Sequence, residues 1–147
     1  MRTLIFDGEN IVYKEIFKVK GGDFAAAGEV SGKIKQILKK LGIDAALIRR
    51  IAIVSYEAEL NMVIHSFGGE MRLYLEEDQI RIVCEDTGPG IPDIQLAMKE
   101  GYSTAPDSVR MMGFGAGMGL PNMNKNSDEL KITSDSNGTV IDMIFHL

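Results

Sequence analysis

Hydrophobic and polar positions change period several times along the chain, and each change marks an element. Residues 10–19, "NIVYKEIFKV", are dense in β-branched and aromatic side chains and predict a strand that enters a turn at "KGGDF". Over residues 25–41, Val30, Ile34, Ile37, Leu38 and Leu41 fall on one stripe while Lys33, Lys35, Lys39 and Lys40 turn mostly to solvent. That pattern predicts an amphipathic helix stopped by Gly42, with the lysines as its wet face. Asp44 is suited to cap a second helix reaching about residue 66. Its Leu47, Ile48, Ile51, Ile53, Val54, Leu60, Met62, Val63 and Ile64 occupy nearly all sides, so it is expected to be buried.

Period two then takes over. In "GEMRLYLEEDQIRIVCED", Met71, Leu73 and Leu75 alternate with Arg72 and Tyr74, Glu77 and Asp78 form the turn, and Ile80, Ile82 and Cys84 alternate on the return. A second strand pair follows from "ELKITS", a "DSNG" turn and "TVIDMIFHL". Between the pairs lie a short helix near residues 93–100, the polar stretch "GYSTAPDSVRMM", a glycine cluster, and a helix over residues 118–126. Pro121 is tolerable only in that helix's first turn. The order predicts an α/β (α+β) two-layer sandwich, a mixed, largely antiparallel sheet covered on one face by helices.

Composition narrows the function. With 147 residues, 45% of them hydrophobic and 25% charged, the chain reads as one domain, 1–147, with its own core. A net charge of −5 argues against nucleic acid as a partner, since duplex binding needs a basic footprint. The single cysteine, Cys84, excludes a disulfide framework and a cysteine-rich zinc site, and is expected to be a small buried hydrophobe. No window approaches 18 uncharged apolar residues, so a soluble, cytoplasmic protein without a membrane partner is expected.

Three stretches carry candidate chemistry. Glu57, Asn61 and His65 are spaced i, i+4, i+8 on a helix otherwise built for burial, with Glu59 off that stripe. Either the stripe lines a cavity that holds water, a cation or a ligand, or it reaches the surface. "EDTGPGI" sets Asp86 at a strand end before Gly88 and Gly90; it reads as a turn on its own, and as a site only in company. "GFGAGMGL" sets Gly113, Gly115, Gly117 and Gly119 at alternate positions, a bareness that suggests close approach of a ligand, most often phosphate. It fits neither common phosphate loop. The dinucleotide fingerprint G-x-G-x-x-G needs glycine at Met118 or Leu120, and "AGEVSGKI" fails the P-loop because Ala27 and Ile34 stand at required positions.

Taken in order, E-x-x-x-N on the second helix, D-x-G-x-G after a strand and G-x-G-x-G before a helix resemble the N, G1 and G2 boxes of the GHKL superfamily of ATPases and kinases. The resemblance runs from about residue 44 to the end of the chain. "EAELNMVIH" and "GMGLPNM" look most like the anti-sigma-factor serine/threonine kinases and related switch kinases. It implies a Bergerat-type ATP-binding fold with ATP and Mg²⁺ as cofactors. Asn61 then supplies an amide oxygen to Mg²⁺, Glu57 is the general base, and Asp86 accepts a hydrogen bond from the adenine amino group, which favours ATP over GTP. Gly88 and Gly90 let the backbone turn beneath the base. Gly113, Gly115, Gly117 and Gly119, with Met118 and Leu120, present N–H groups and a helix N-terminus to the triphosphate. Thr104 and Arg110 are softer candidates for phosphate contact. His65 is expected to pack or support, and Met111, Met112 and Met118 to pack the lid.

The implied function is a regulatory serine/threonine protein kinase that transfers the γ-phosphate of ATP to a small regulatory protein, with a sigma factor as a further partner and a homodimer allowed. The rival is a nucleotide-dependent binding module or ATPase that sequesters a partner without phosphorylating it. No helical pair with a phosphoacceptor histidine and no transducer domain is expected beside the ATP-binding domain.

Overall fold

A computed structural model describes residues 11–101 and 118–147. In chain order they form β1 (Ile11–Lys20), a short 3-10 turn (Phe24–Ala26), α1 (Glu29–Lys40), α2 (Ala45–His65), β2 (Gly68–Glu76), β3 (Gln79–Thr87), α3 (Ile94–Ala97), α4 (Gly119–Asn126), β4 (Glu129–Asp135) and β5 (Gly138–His146). The strands make one sheet in the order β1-β2-β3-β5-β4. The largely antiparallel sheet expected from the hairpins is antiparallel at every described pairing.

Strict alternation along the strands decides which face is covered. Met71, Leu73, Ile80, Ile82, Met143 and Phe145 point to the helices and are fully buried. There they meet Ile34 and Leu38 of α1, Ile51 and Val54 of α2, and Met123 of α4. Cys84 lies in this core as expected, and burial pushes its thiol pKa far up, so it stays protonated and inert. The opposite face carries the polar residues of the alternation. On it Arg81 Nε donates to Asp142 Oδ1 at 2.9 Å, and its Nη2 donates to Asp142 Oδ2, a two-point ion pair between β3 and β5.

Two helix expectations need correction. The first helix begins at Glu29, not near residue 25, because Gly28 turns left-handed at φ 100° and so resets the chain direction. Gly28 has no side chain with which to cap α1. The cap comes instead from α2, where the Glu59 carboxylate accepts from the N–H groups of Gly28 (3.0 Å), Val30 (3.2 Å) and Ser31 (2.9 Å). That explains a glutamate left only 2% exposed in a packed helix. The second helix starts as expected, with Asp44 Oδ2 accepting from Ala46 and Leu47 N–H. It is not buried all round. With the sheet beneath and α1 and α4 beside it, its fourth side is open, and Ile53 and Tyr56 are exposed there.

Candidate nucleotide site

The C-terminal half of α2 is the axis of the site. Glu57 and Asn61, one turn apart, are both half-buried, so the stripe is neither sealed in the core nor simply wet. His65, a turn later, is exposed rather than packed, and partial desolvation of its ring lowers its pKa from the ordinary 6.5. No cluster of three metal-binding His, Cys, Asp or Glu side chains exists among the described residues.

Helix α4 delivers the end of the glycine cluster to this stripe. Its first residue is Gly119, where a Cβ would stand 3.7 Å from Glu57 Oε1, and its N-terminus has no side-chain cap. Pro121 sits in the first turn, where its missing N–H would have had no acceptor within the helix. Asn122 Nδ2 donates to Glu57 Oε2 at 3.1 Å. Leu120 is buried, and half-buried Met118 occupies the N-cap position. Leu120 therefore serves packing in this structure, and its assignment to the nucleotide remains an expectation.

The D-x-G-x-G stretch meets the same region from the sheet side. Phe67 N, just past α2, donates to Thr87 O at 2.8 Å, so the end of β3 lies beside the end of α2. Gly88 is buried, and a Cβ there would approach Ser66 Cα to 3.1 Å. Gly90 is left-handed at φ 79°, with a Cβ position only 2.0 Å from the Asp135 carbonyl oxygen. No other residue type fits that contact. Gly88 N donates to Asn137 O at 3.1 Å and Ile91 N to Ser134 Oγ at 2.7 Å, tying the turn to the β4–β5 hairpin. The stretch is thus a tightly held turn that lies beside the end of α2 and follows Asp86.

Asp86 is half-buried, and its Oδ1 accepts from Thr139 N of β5 at 3.2 Å. Burial raises its pKa above the usual carboxylate range, against the lowering effect of that N–H. A carboxylate held by one backbone donor keeps its remaining lone pairs for a ligand N–H.

Of the residues expected in the site, Gly119, between Met118 and Leu120, lies beside Glu57, and Gly88, between Asp86 and Gly90, lies beside Ser66 at the end of α2, with Asn61 between these two points along the helix. Thr104, Arg110, Gly113, Gly115 and Gly117, with Met111 and Met112, lie outside the described residues. Three neighbours escaped the sequence reading. Asn122 touches Glu57, Thr139 holds Asp86, and Ser134 joins Thr139 Oγ1 (2.8 Å) to the Gly90 turn. Asn122 was signalled only by its place one turn after Gly119. Thr139 and Ser134 needed the β3–β5 and β4–β5 registers.

The profile of the histidine kinase-like ATPase domain matches residues 23–145, and the chain belongs to that family. Its match to the serine/threonine-protein kinase RsbT of Bacillus subtilis is 30% identical over 116 residues, 76% of this chain and 79% of that protein. An anti-sigma F factor of Clostridium novyi is 38% identical over 94 residues, 59% of this chain and 62% of that factor. Among solved structures, the RsbU and RsbW domains of Rv1364c from Mycobacterium tuberculosis match with a TM-score of 0.62 at 16% identity, over 91% of this chain and 32% of that one. The SiaB–SiaC complex from Pseudomonas aeruginosa matches with a TM-score of 0.60 at 9% identity, over 92% of this chain and 90% of that one. At those identities the solved structures speak for the fold, which is of the GHKL type expected.

Proposed function

We propose that the protein is an ATP- and Mg²⁺-dependent serine/threonine kinase that phosphorylates a small regulatory protein. The observation that carries this reading is the placement of Glu57 beside the start of α4, with Asn61 one turn further along the same helix. The kinase and anti-sigma relatives support it.

Asn61 makes no side-chain hydrogen bond among the described residues, so its amide oxygen is available to a hard cation that otherwise keeps waters and phosphate oxygens. When bound, Mg²⁺ neutralises charge on the phosphates. Asp86 orients the adenine by accepting from its amino group. Glu57 takes the proton of the acceptor hydroxyl as that oxygen bonds to the γ-phosphorus and the bond to the bridging oxygen breaks, releasing ADP.

The test is single-turnover transfer from γ-labelled ATP, with Mg²⁺, to candidate small regulatory proteins, with nucleotide binding measured in parallel. Glu57→Gln is expected to lower transfer by at least about two orders of magnitude with little change in ATP affinity. Asn61→Ala is expected to weaken binding only when Mg²⁺ is present. Wild-type transfer by Glu57→Gln removes Glu57 as the base. A wild-type protein that binds ATP and its partner without transferring phosphate favours the sequestering module.

A further inference from the structure

Helix α4 is held on α2 at both ends. At its C-terminal end, Arg50 Nε donates to Asn126 O at 3.0 Å and Arg50 Nη2 to Asp128 Oδ1 at 2.9 Å. At its N-terminal end, Asn122 Nδ2 donates to Glu57 Oε2 at 3.1 Å. Arg50 and Glu57 are seven residues apart on α2, two turns along one face, and buried Leu120 and Met123 fill the interface between these ties. The apolar pair and the arginine also hold α4 in place. A half-buried amide facing a half-buried carboxylate adds a desolvation cost that packing alone does not call for.

The two carboxylate oxygens have different surroundings. Oε2 is engaged by Asn122, whereas Oε1 faces Gly119, which offers no side chain. Resting on the reading of Glu57 as the base, we propose that Asn122 is a positioning residue for phosphoryl transfer. It fixes the Glu57 carboxylate so that Oε1 is the proton-accepting oxygen, and it ties the orientation of the base to the seating of the helix that follows the glycine cluster. A hydrogen bond from a rigid helix restricts a glutamate that otherwise samples several rotamers, and restriction of this kind acts on the chemical step.

The experiment is single-turnover transfer in Asn122→Asp, which is isosteric but sets a carboxylate against Glu57, and in Asn122→Leu, which removes the donor at similar volume. Each is measured alone and in the Glu57→Gln background, with ATP affinity and melting temperature measured for every variant. Both single variants should lose about ten- to a hundredfold in transfer rate, Asn122→Asp the more, with ATP affinity and melting temperature near wild type. In the Glu57→Gln background the Asn122 substitutions should cost little more, because the base they position is gone. If Glu57→Gln is impaired but Asn122→Leu transfers at the wild-type rate, or if the losses simply multiply, the positioning role is overturned. Loss of ATP affinity or of folding in parallel with rate would also overturn it, and would make Asn122 a structural contact. Wild-type transfer by Glu57→Gln would instead overturn the base itself.

Discussion

Glu57 and Glu59 stand two residues apart on α2 and meet different surroundings, Glu57 half-buried beside α4 and Glu59 buried against α1. Glu59 is buried on three N–H groups of α1 and is committed to structure. Removing it strips a cap and leaves buried donors unpaired, so Glu59→Ala should cost about 2–4 kcal/mol. The melting temperature should fall by roughly 5–15 °C, read in thermal unfolding without ligand. Asp86, half-buried and held by one backbone donor, is the group proposed to meet the adenine. Because burial raises its folded-state pKa above 3.8, the stability linked to its protonation is fully present below the unfolded value and is lost as pH rises through the folded value. Asp86→Asn keeps an oxygen for Thr139 N but carries no charge. It should remove the stability that Asp86 loses between pH 4 and pH 7, so that stability at pH 7 rises relative to pH 4 in denaturant titrations, while weakening the preference for ATP over GTP in calorimetry. A pH dependence equal to wild type would count against the buried-charge argument.

At the scale of elements, α1 shows how a helix can be held by its neighbour. Its N-terminus has no cap of its own, its last turn carries Lys39 and Lys40 near the C-terminal carbonyls, and its wet face includes Gly32. A Cβ at Gly32 would meet nothing within 4 Å, and its backbone is not left-handed. Gly32→Ala should therefore stabilise the protein by about 0.4–1 kcal/mol, seen as a higher denaturant midpoint at unchanged slope. The neighbouring Gly28 offers the contrast. Its φ of 100° strains any side chain, so Gly28→Ala should destabilise although its Cβ position only brushes the Tyr56 ring.

Across the whole molecule, the site is a junction of both layers, with α2 and α4 from one, and the β3 end and the β4–β5 hairpin from the other. A ligand bound there bridges elements that separate on unfolding. ATP at about a hundred times its dissociation constant should therefore add about 2.7 kcal/mol. That corresponds to a rise of roughly 5–10 °C in melting temperature, dependent on Mg²⁺ and much smaller with GTP. No shift with any nucleotide would count against the site.

The sequence by itself determined the strand alternation, the Asp44 cap of α2 and both hairpin turns, which rest on residues close in the chain, where period and turn chemistry act locally. Glu57, Asn61 and Asp86 are singled out by the resemblance of three boxes in order along the chain. Only the tertiary structure decided that α1 starts at Glu29, that Glu59 is its cap from 28 to 31 residues away, and that Thr139 holds Asp86 across 53. It also decided that Asn122 meets Glu57 across 65 residues and that Ile53 and Tyr56 face outward. The physical reason is common to these cases. A polar group's partner, or an apolar group's cover, is set by which elements pack together, and that follows from burying the whole core at once rather than from any short stretch of chain.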